Sequence, residues 1–156
     1  MDQGLNSMEA VIFIGIPAAG KSTFYQQQFF RTHIRINLDM LRTRHREDLL
    51  LHACFEARQS FVVDNTNISK SERAKYIALA KPNGFQITGY YFKSKLAQAL
   101  QRNRQRSSTE NIPEIGLLDK VKRLEIPSYS EGFDKLYYVS IDPGTGQFIV
   151  REWKAN

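Results

Sequence analysis

Residues 15–22 read Gly15-Ile16-Pro17-Ala18-Ala19-Gly20-Lys21-Ser22 and meet the pattern G-x-x-x-x-G-K-[ST] at every fixed position. With glycine near 7% of residues in ordinary proteins, chance would produce this pattern on the order of once in 10⁴–10⁵ positions. The surroundings are those the pattern requires. Residues 11–14 are a short, wholly apolar run ending at Gly15, as in a buried parallel strand, and residues 21–30 read as a helix opening from the glycine-rich turn. The spacing has a chemical reason. Two glycines let the backbone curl so that successive N–H groups converge on phosphate oxygens, and the helix adds the positive end of its dipole. Gly15, Ile16, Pro17, Ala18, Ala19, Gly20, Lys21, Ser22 and Thr23 are therefore the expected cradle for ATP. In it Lys21 reaches the β- and γ-phosphates and the Ser22 hydroxyl ligates Mg²⁺.

Beyond this turn, strand and helix signals alternate. Residues 33–38 place Ile34 and Ile36 between polar neighbours, as a second strand does, and residues 39–60 are helical in character, with Leu41, Leu49, Leu50, Ala53 and Ala57. Residues 61–63 are a third apolar run, stopping at Asp64. Ser69 with Glu72 three positions on predicts a capping box for a helix to about Lys81. Pro82-Asn83-Gly84 is a turn, and residues 85–92 are rich in β-formers. Residues 96–106 read as a helix, 107–112 as a polar break, and Pro113 as the first residue of a helix to Glu125. Residues 135–141 form a last apolar strand, after which Pro143-Gly144-Thr145-Gly146 turns the chain into an extended tail, 147–153. This alternation predicts a three-layer α/β sandwich, a parallel central sheet flanked by helices, as in the P-loop NTPase and kinase fold.

The 156 residues leave room for one core and one domain, spanning 1–156. Their 42% hydrophobic and 24% charged composition excludes a disordered or fibrous chain. A single cysteine, Cys54, excludes an internal disulfide framework and a Cys-rich zinc site, and reads as a small core hydrophobe. No apolar run approaches the roughly 20 residues that span a bilayer, and the polar residues 1–9 lack the shape of a signal peptide. A cytoplasmic location without a membrane partner is the expectation; oligomeric state is not legible. Twenty-two Lys and Arg against sixteen Asp and Glu give +6, which favours a polyanionic partner.

Neither Asn-Lys-x-Asp nor Asp-x-x-Gly occurs, so the base-reading and switch motifs of a GTPase are missing, and a motor or unfoldase needs more chain. A small kinase fits. It requires a carboxylate to take the acceptor's proton, a carboxylate on the magnesium side, and cations for the moving phosphoryl group. Asp39, at the end of the second strand, is the only acid between Lys21 and Arg46 and is surrounded by Arg31, Arg35, Arg42 and Arg44. Those cations favour an ionised general base, although Asp39 reads equally well as an N-cap. Arg42, three residues on, is a candidate for an acceptor phosphate or a solvated helix charge. Asp64 has the place of a Walker-B carboxylate for Mg²⁺ or of a turn former; Asn67, in the polar loop behind it, is a candidate substrate ligand. Lys93, Lys95, Arg102, Arg104 and Arg106 occur with no acid between Lys93 and Glu110. Arg102 and Arg106 share a helix face and suit a lid, or a solvated basic face. Tyr129 reads as an exposed side chain able to stack on a base, and Tyr90, Tyr91 and Phe92 as core aromatics.

Taken together, these stretches resemble the kinase module of 5′-hydroxyl polynucleotide kinases, within the small P-loop phosphotransferases. The resemblance runs over residues 11–139. It rests on the P-loop, Asn37-Leu38-Asp39-Met40-Leu41-Arg42, Asp64-Asn65-Thr66-Asn67, Arg102-Asn103-Arg104-Gln105-Arg106, Ile112-Pro113-Glu114 and the run from Pro127 to Glu131-Gly132-Phe133-Asp134. Met40 stands where many members have a second acid. The resemblance implies transfer of the γ-phosphate of ATP to the 5′-OH end of a polynucleotide. It makes Asp39 the general base, Arg42 a ligand of the acceptor's 3′-phosphate, and Arg102 and Arg106 parts of a mobile lid around residues 96–125. No fused phosphatase or ligase domain is expected. A kinase of a sugar, antibiotic or nucleotide sugar on the same fold is the alternative, and a non-catalytic ATP-binding module a third.

Overall fold

A computed structural model describes residues 8–94 and 115–154. Six strands form one sheet: β1 (Glu9–Ile14), β2 (Ile34–Ile36), β3 (Phe61–Val63), β4 (Gln86–Phe92), β5 (Lys135–Ile141) and β6 (Phe148–Glu152). Their order is β2-β3-β1-β4-β5-β6. The first five run parallel, with Ile12 of β1 level with Val63 of β3 and Gly89 of β4. The helices are α1 (Lys21–Gln28), α2 (Leu38–Leu41), α3 (Arg44–Ala57), α4 (Lys70–Ala80) and α5 (Ile115–Arg123), with a 3₁₀ turn at Tyr129–Glu131.

Alternation along β1 divides the core into two. Ala10, Ile12 and Ile14 pack with Leu51, Cys54 and Phe55 of α3 and Tyr76, Ile77 and Ala80 of α4. Val11 and Phe13 pack on the opposite face with Phe24 and Tyr25 of α1 and Val121 of α5. Helices thus cover both faces, which makes three layers. Every described residue of β1 from Ala10 to Ile14 is fully buried, as a central parallel strand must be. Phe13 lies edge-on or tilted to Phe24, Phe29, Tyr90 and Phe92, so the aromatics of residues 90–92 belong to packing. Among the described residues no helix is long and apolar enough to cross a membrane.

Four expectations need correction. The tail is a strand: β6 pairs antiparallel with β5, Val139 opposite Val150, so the sheet is parallel only through its first five members. The turn that reverses the chain is held by Asp142, whose carboxylate accepts from the N–H of Gly144 at 2.7 Å. The helical stretch 39–60 is two helices. Arg42 ends α2 with φ of 76°, and Thr43 caps α3, its hydroxyl accepting from Arg46 N. Tyr129 is half-buried and its hydroxyl donates to Trp153 O at 2.6 Å, so it is a packing residue. At α4, Ser69 accepts from Glu72 N as expected, but Glu72 reaches back one residue further, to Ile68 N.

Candidate active site

The P-loop bridges β1 and α1 at the carboxyl edge of the sheet, where ligands sit in open parallel sheets. Its two glycines answer different demands. A Cβ on Gly15 would stand 3.1 Å from Cβ of Phe92, so glycine there lets the loop lie against β4. Gly20 caps α1 at φ 94°, a left-handed conformation, and a Cβ there would press on the Phe148 ring. Having no side chain, Gly20 makes no cap bond to the first turn of α1, which leaves those N–H donors for an anion. Lys21 is buried and its ammonium donates to Gly15 O at 2.9 Å and Ile16 O at 2.7 Å. Burial lowers its pKa to about 8, with Asp64 opposing that shift and Lys120 of α5 adding to it.

A cavity of about 710 Å³ opens over this loop. Pro17, Ala18, Gly20, Lys21, Ser22 and Thr23 line one side, and Asp39, Arg44, Asp64, Asn67 and Lys120 are among the residues closing the rest. Gly15, Ile16 and Ala19 lie buried beneath it and contribute backbone or packing. Asp64 is buried at the end of β3. Its Oδ2 accepts from the Ser22 hydroxyl at 3.1 Å and from Arg35 Nε at 2.8 Å, while Arg35 Nη2 reaches Ser22 Oγ at 3.0 Å. Hydroxyl and carboxylate are hard oxygen donors and suit Mg²⁺.

Asp39 sits in the first turn of α2, exposed, with no partner for its carboxylate among the described residues. The N-cap is Asn37, whose Oδ1 accepts from Met40 N and whose Nδ2 donates to Asp64 O at 2.6 Å. The capping alternative for Asp39 is therefore filled by its neighbour. Asn67, by contrast, is a structural tie: its Nδ2 donates to Phe13 O at 2.8 Å, and its own carbonyl accepts from Arg73 Nη1 at 2.9 Å. Arg73 is fully buried and forks onto Glu131 at 2.8 and 3.1 Å. The Glu131 run thus supports the cavity from behind.

Arg42 does not line the cavity. The left-handed turn that ends α2 leaves it exposed, and the shared helical face expected for Asp39 and Arg42 does not exist. Arg102, Arg106 and the amino-terminal part of the expected lid lie outside the described residues; its described part, α5, supplies Lys120. Arg35 and Arg44, in sequence only members of a cationic run, and Lys120, which no motif marks, also belong to the site. Thr43, a good N-cap within an apparently helical stretch, was the available sign that Arg44 begins a new helix.

A family model described as an AAA domain matches residues 45–127, more than half of the chain. The chain belongs to this family. Within it the fold is that of the P-loop kinases. The "Bifunctional polynucleotide phosphatase/kinase" of Schizosaccharomyces pombe is 30% identical over 132 residues, covering 80% of this chain and 32% of that protein. The chain therefore spans about a third of that relative's length. A gluconokinase from Sinorhizobium meliloti 1021 superposes with a TM-score of 0.54 at 19% identity, covering 85% of this chain and 82% of its own. Chaetomium thermophilum Kti12, solved with ADP-AlF3, gives 0.59 at 17% identity, covering 85% and 89%. At such identities the two structures share the fold. As a member of this family the chain is a nucleotide-binding, kinase-like domain.

Proposed function

We propose that this domain transfers the γ-phosphate of ATP to a hydroxyl, and that the acceptor is the 5′-OH end of a polynucleotide. The observation that carries the reading is one cavity lined by the P-loop lysine, the Asp39 carboxylate, which has no hydrogen-bond or ion-pair partner among the described residues, and the Ser22–Asp64 oxygen pair. The P-loop and Lys21 would hold the triphosphate, with Lys21 exchanging its carbonyl partners for phosphate oxygens. Ser22 and Asp64 would hold Mg²⁺, which supplies charge neutralisation on the phosphates when bound. Asp39 would accept the proton of the acceptor hydroxyl as its oxygen bonds to the γ-phosphorus and the bond from that phosphorus to the β–γ bridging oxygen breaks, releasing ADP. Lys120, with Arg102 and Arg106 from the lid, would neutralise the group in transit. Support for the polynucleotide acceptor comes from the S. pombe relative and from the run Asn37 to Arg42. A small-molecule acceptor has one observation in its favour, the fold shared with a gluconokinase.

The test offers Mg·ATP labelled at the γ-phosphate to a 5′-OH oligonucleotide and, in parallel, to a panel of sugars and nucleotide sugars. Label on the oligonucleotide is the expected result. Label on a sugar alone overturns the polynucleotide reading, and ATP binding without transfer to either replaces it by a binding module. In an active preparation, Asp39→Asn should lower kcat by a factor of about 10² or more while ATP affinity is retained. Unchanged turnover removes Asp39 from the role of base.

A further inference from the structure

Strand register and one buried charge single out Arg35. Arg35 of β2 is level with Val62 of β3, and Val62 packs on the sheet face that α1 covers. Asp64 N donates to Ile36 O at 2.8 Å, so the ladder runs one residue past β3. Alternation then puts Asp64 on the same face as Val62 and Arg35, where Ser22 stands in the first turn of α1. The three side chains close a ring. Arg35 Nε donates to Asp64 Oδ2 at 2.8 Å, Arg35 Nη2 to Ser22 Oγ at 3.0 Å, and Ser22 Oγ to Asp64 Oδ2 at 3.1 Å. The Asp64 side chain is 2% exposed and that of Arg35 29%. A carboxylate so buried needs a cation beside it. Among the described residues its one ion pair is with Arg35, Lys21 being turned onto the carbonyls of Gly15 and Ile16. Arg35 does not line the cavity; it reaches the pair from the β2 side, while Ser22 and Asp64 face the cavity. Two consequences follow for a cation arriving from the cavity. The charge of Asp64 is already balanced, and the guanidinium repels a further cation across a few ångströms. The Ser22 hydroxyl has its proton on Asp64 and one lone pair on Arg35, which leaves a single lone pair to offer. The attraction that the protein withholds must come from the phosphates of the nucleotide.

We infer that Arg35 makes metal binding at Ser22 and Asp64 depend on nucleotide: it balances Asp64 beforehand, so that a divalent cation is held there only together with phosphates. The inference rests on the reading of Ser22 and Asp64 as the Mg²⁺ donors and goes beyond it, since it sets the order in which the site fills. Free Mg²⁺ is turned away, and the metal enters with the nucleotide. Arg35 acts through Ser22 and Asp64 and is a positioning residue.

The probe is Mn²⁺ alone, whose binding to the nucleotide-free protein is read by electron paramagnetic resonance without any turnover. Wild type should bind it weakly. Arg35→Gln keeps an amide donor and loses the charge, and should raise that affinity by about tenfold or more. Arg35→Lys keeps the charge and should stay within about threefold of wild type. The gain should vanish when Asp64→Asn is added to Arg35→Gln, which assigns it to this site. Thermal melting gives a second readout. In EDTA, Arg35→Gln should melt below wild type, because a buried carboxylate has lost its partner; millimolar Mn²⁺ should restore the variant and leave wild type where it was. A variant that folds only with Mn²⁺ present supports the inference on the same grounds, and one that the metal does not rescue overturns it. Unchanged Mn²⁺ affinity in folded Arg35→Gln, a gain that survives Asp64→Asn, or tight Mn²⁺ binding by nucleotide-free wild type also overturns it. So does an Arg35→Lys variant that matches Arg35→Gln. Phosphoryl transfer is assayed apart from these measurements. Arg35-dependent exclusion of Mn²⁺ without transfer to any acceptor sustains the inference and overturns the kinase reading; transfer by a protein whose metal affinity ignores Arg35 does the reverse.

Discussion

A lysine ammonium that is only 8% exposed is costly to the folded chain. For Lys21 the lowering from 10.5 to about 8 corresponds to about 3 kcal/mol of penalty at neutral pH. The sign follows from proton counts. Between about pH 8 and 10.5 the unfolded chain holds the proton more firmly than the native one, so this group makes stability rise with pH across that window. Below pH 8 both states are protonated and the full penalty stands. Lys21→Met should therefore raise the stability of the nucleotide-free protein by about 1–3 kcal/mol at pH 7. The gap to wild type should close as pH approaches 10, read from denaturant midpoints. Added Mg·ATP should stabilise wild type and not the variant. A gap that ignores pH would mean that Lys21 is not held as described. Asp39 differs in its placement: it is exposed in the first turn of α2, with no hydrogen-bond or ion-pair partner among the described residues, where a substrate can reach it.

At the scale of elements, the pieces that hold the cavity are joined by contacts distant in sequence. Arg73 of α4 and Glu131 of the 3₁₀ turn are 58 positions apart, and the pair is almost wholly buried. Glu131→Ala leaves a buried guanidinium with one carboxylate fewer and should cost about 3–5 kcal/mol in a denaturant titration. Because Arg73 also grips the carbonyl of Asn67, nucleotide affinity should fall with it; stability loss with no change in affinity would separate the 3₁₀ turn from the cavity. Nothing local in the sequence pairs these residues. What was legible was what local chemistry decides: the apolar run of β1, the glycines of the P-loop, Ser69 before α4, and the carboxylates at the ends of β2 and β3. The break at Arg42 was not, because no Gly or Pro marks it and its one local sign, the N-cap residue Thr43, is also tolerated inside a helix. That break takes Arg42 off the helical face it was expected to share with Asp39. The antiparallel course of β6 was also hidden, since a turn signal reverses a chain without saying which strand it meets.

Across the whole molecule, Cys54 offers a reporter that touches none of the chemistry. It lies 1% exposed in the core beneath α3, and burial pushes its thiol up to about 11. At pH 8 only about one native molecule in a thousand would present a thiolate even if a reagent could reach it. Modification by a disulfide reagent should therefore follow global opening, and Mg·ATP at a hundred times its Kd should slow it about a hundredfold. Labelling at a rate indifferent to nucleotide would show that α3 opens by itself. The strand order has a further consequence, for synthesis. The strand that leads into the P-loop hydrogen-bonds on one side to β3 and on the other to β4, both made later, and Gly20 rests near Phe148, made later still. As the chain emerges, residues 10–14, all apolar, wait with both edges unpaired until residues 61–63 are made, and with one edge still open until residue 92 has been added. Within this domain the nucleotide cradle is translated before the strands that complete it, so a chain stalled between them would expose its stickiest strand before it could bind anything.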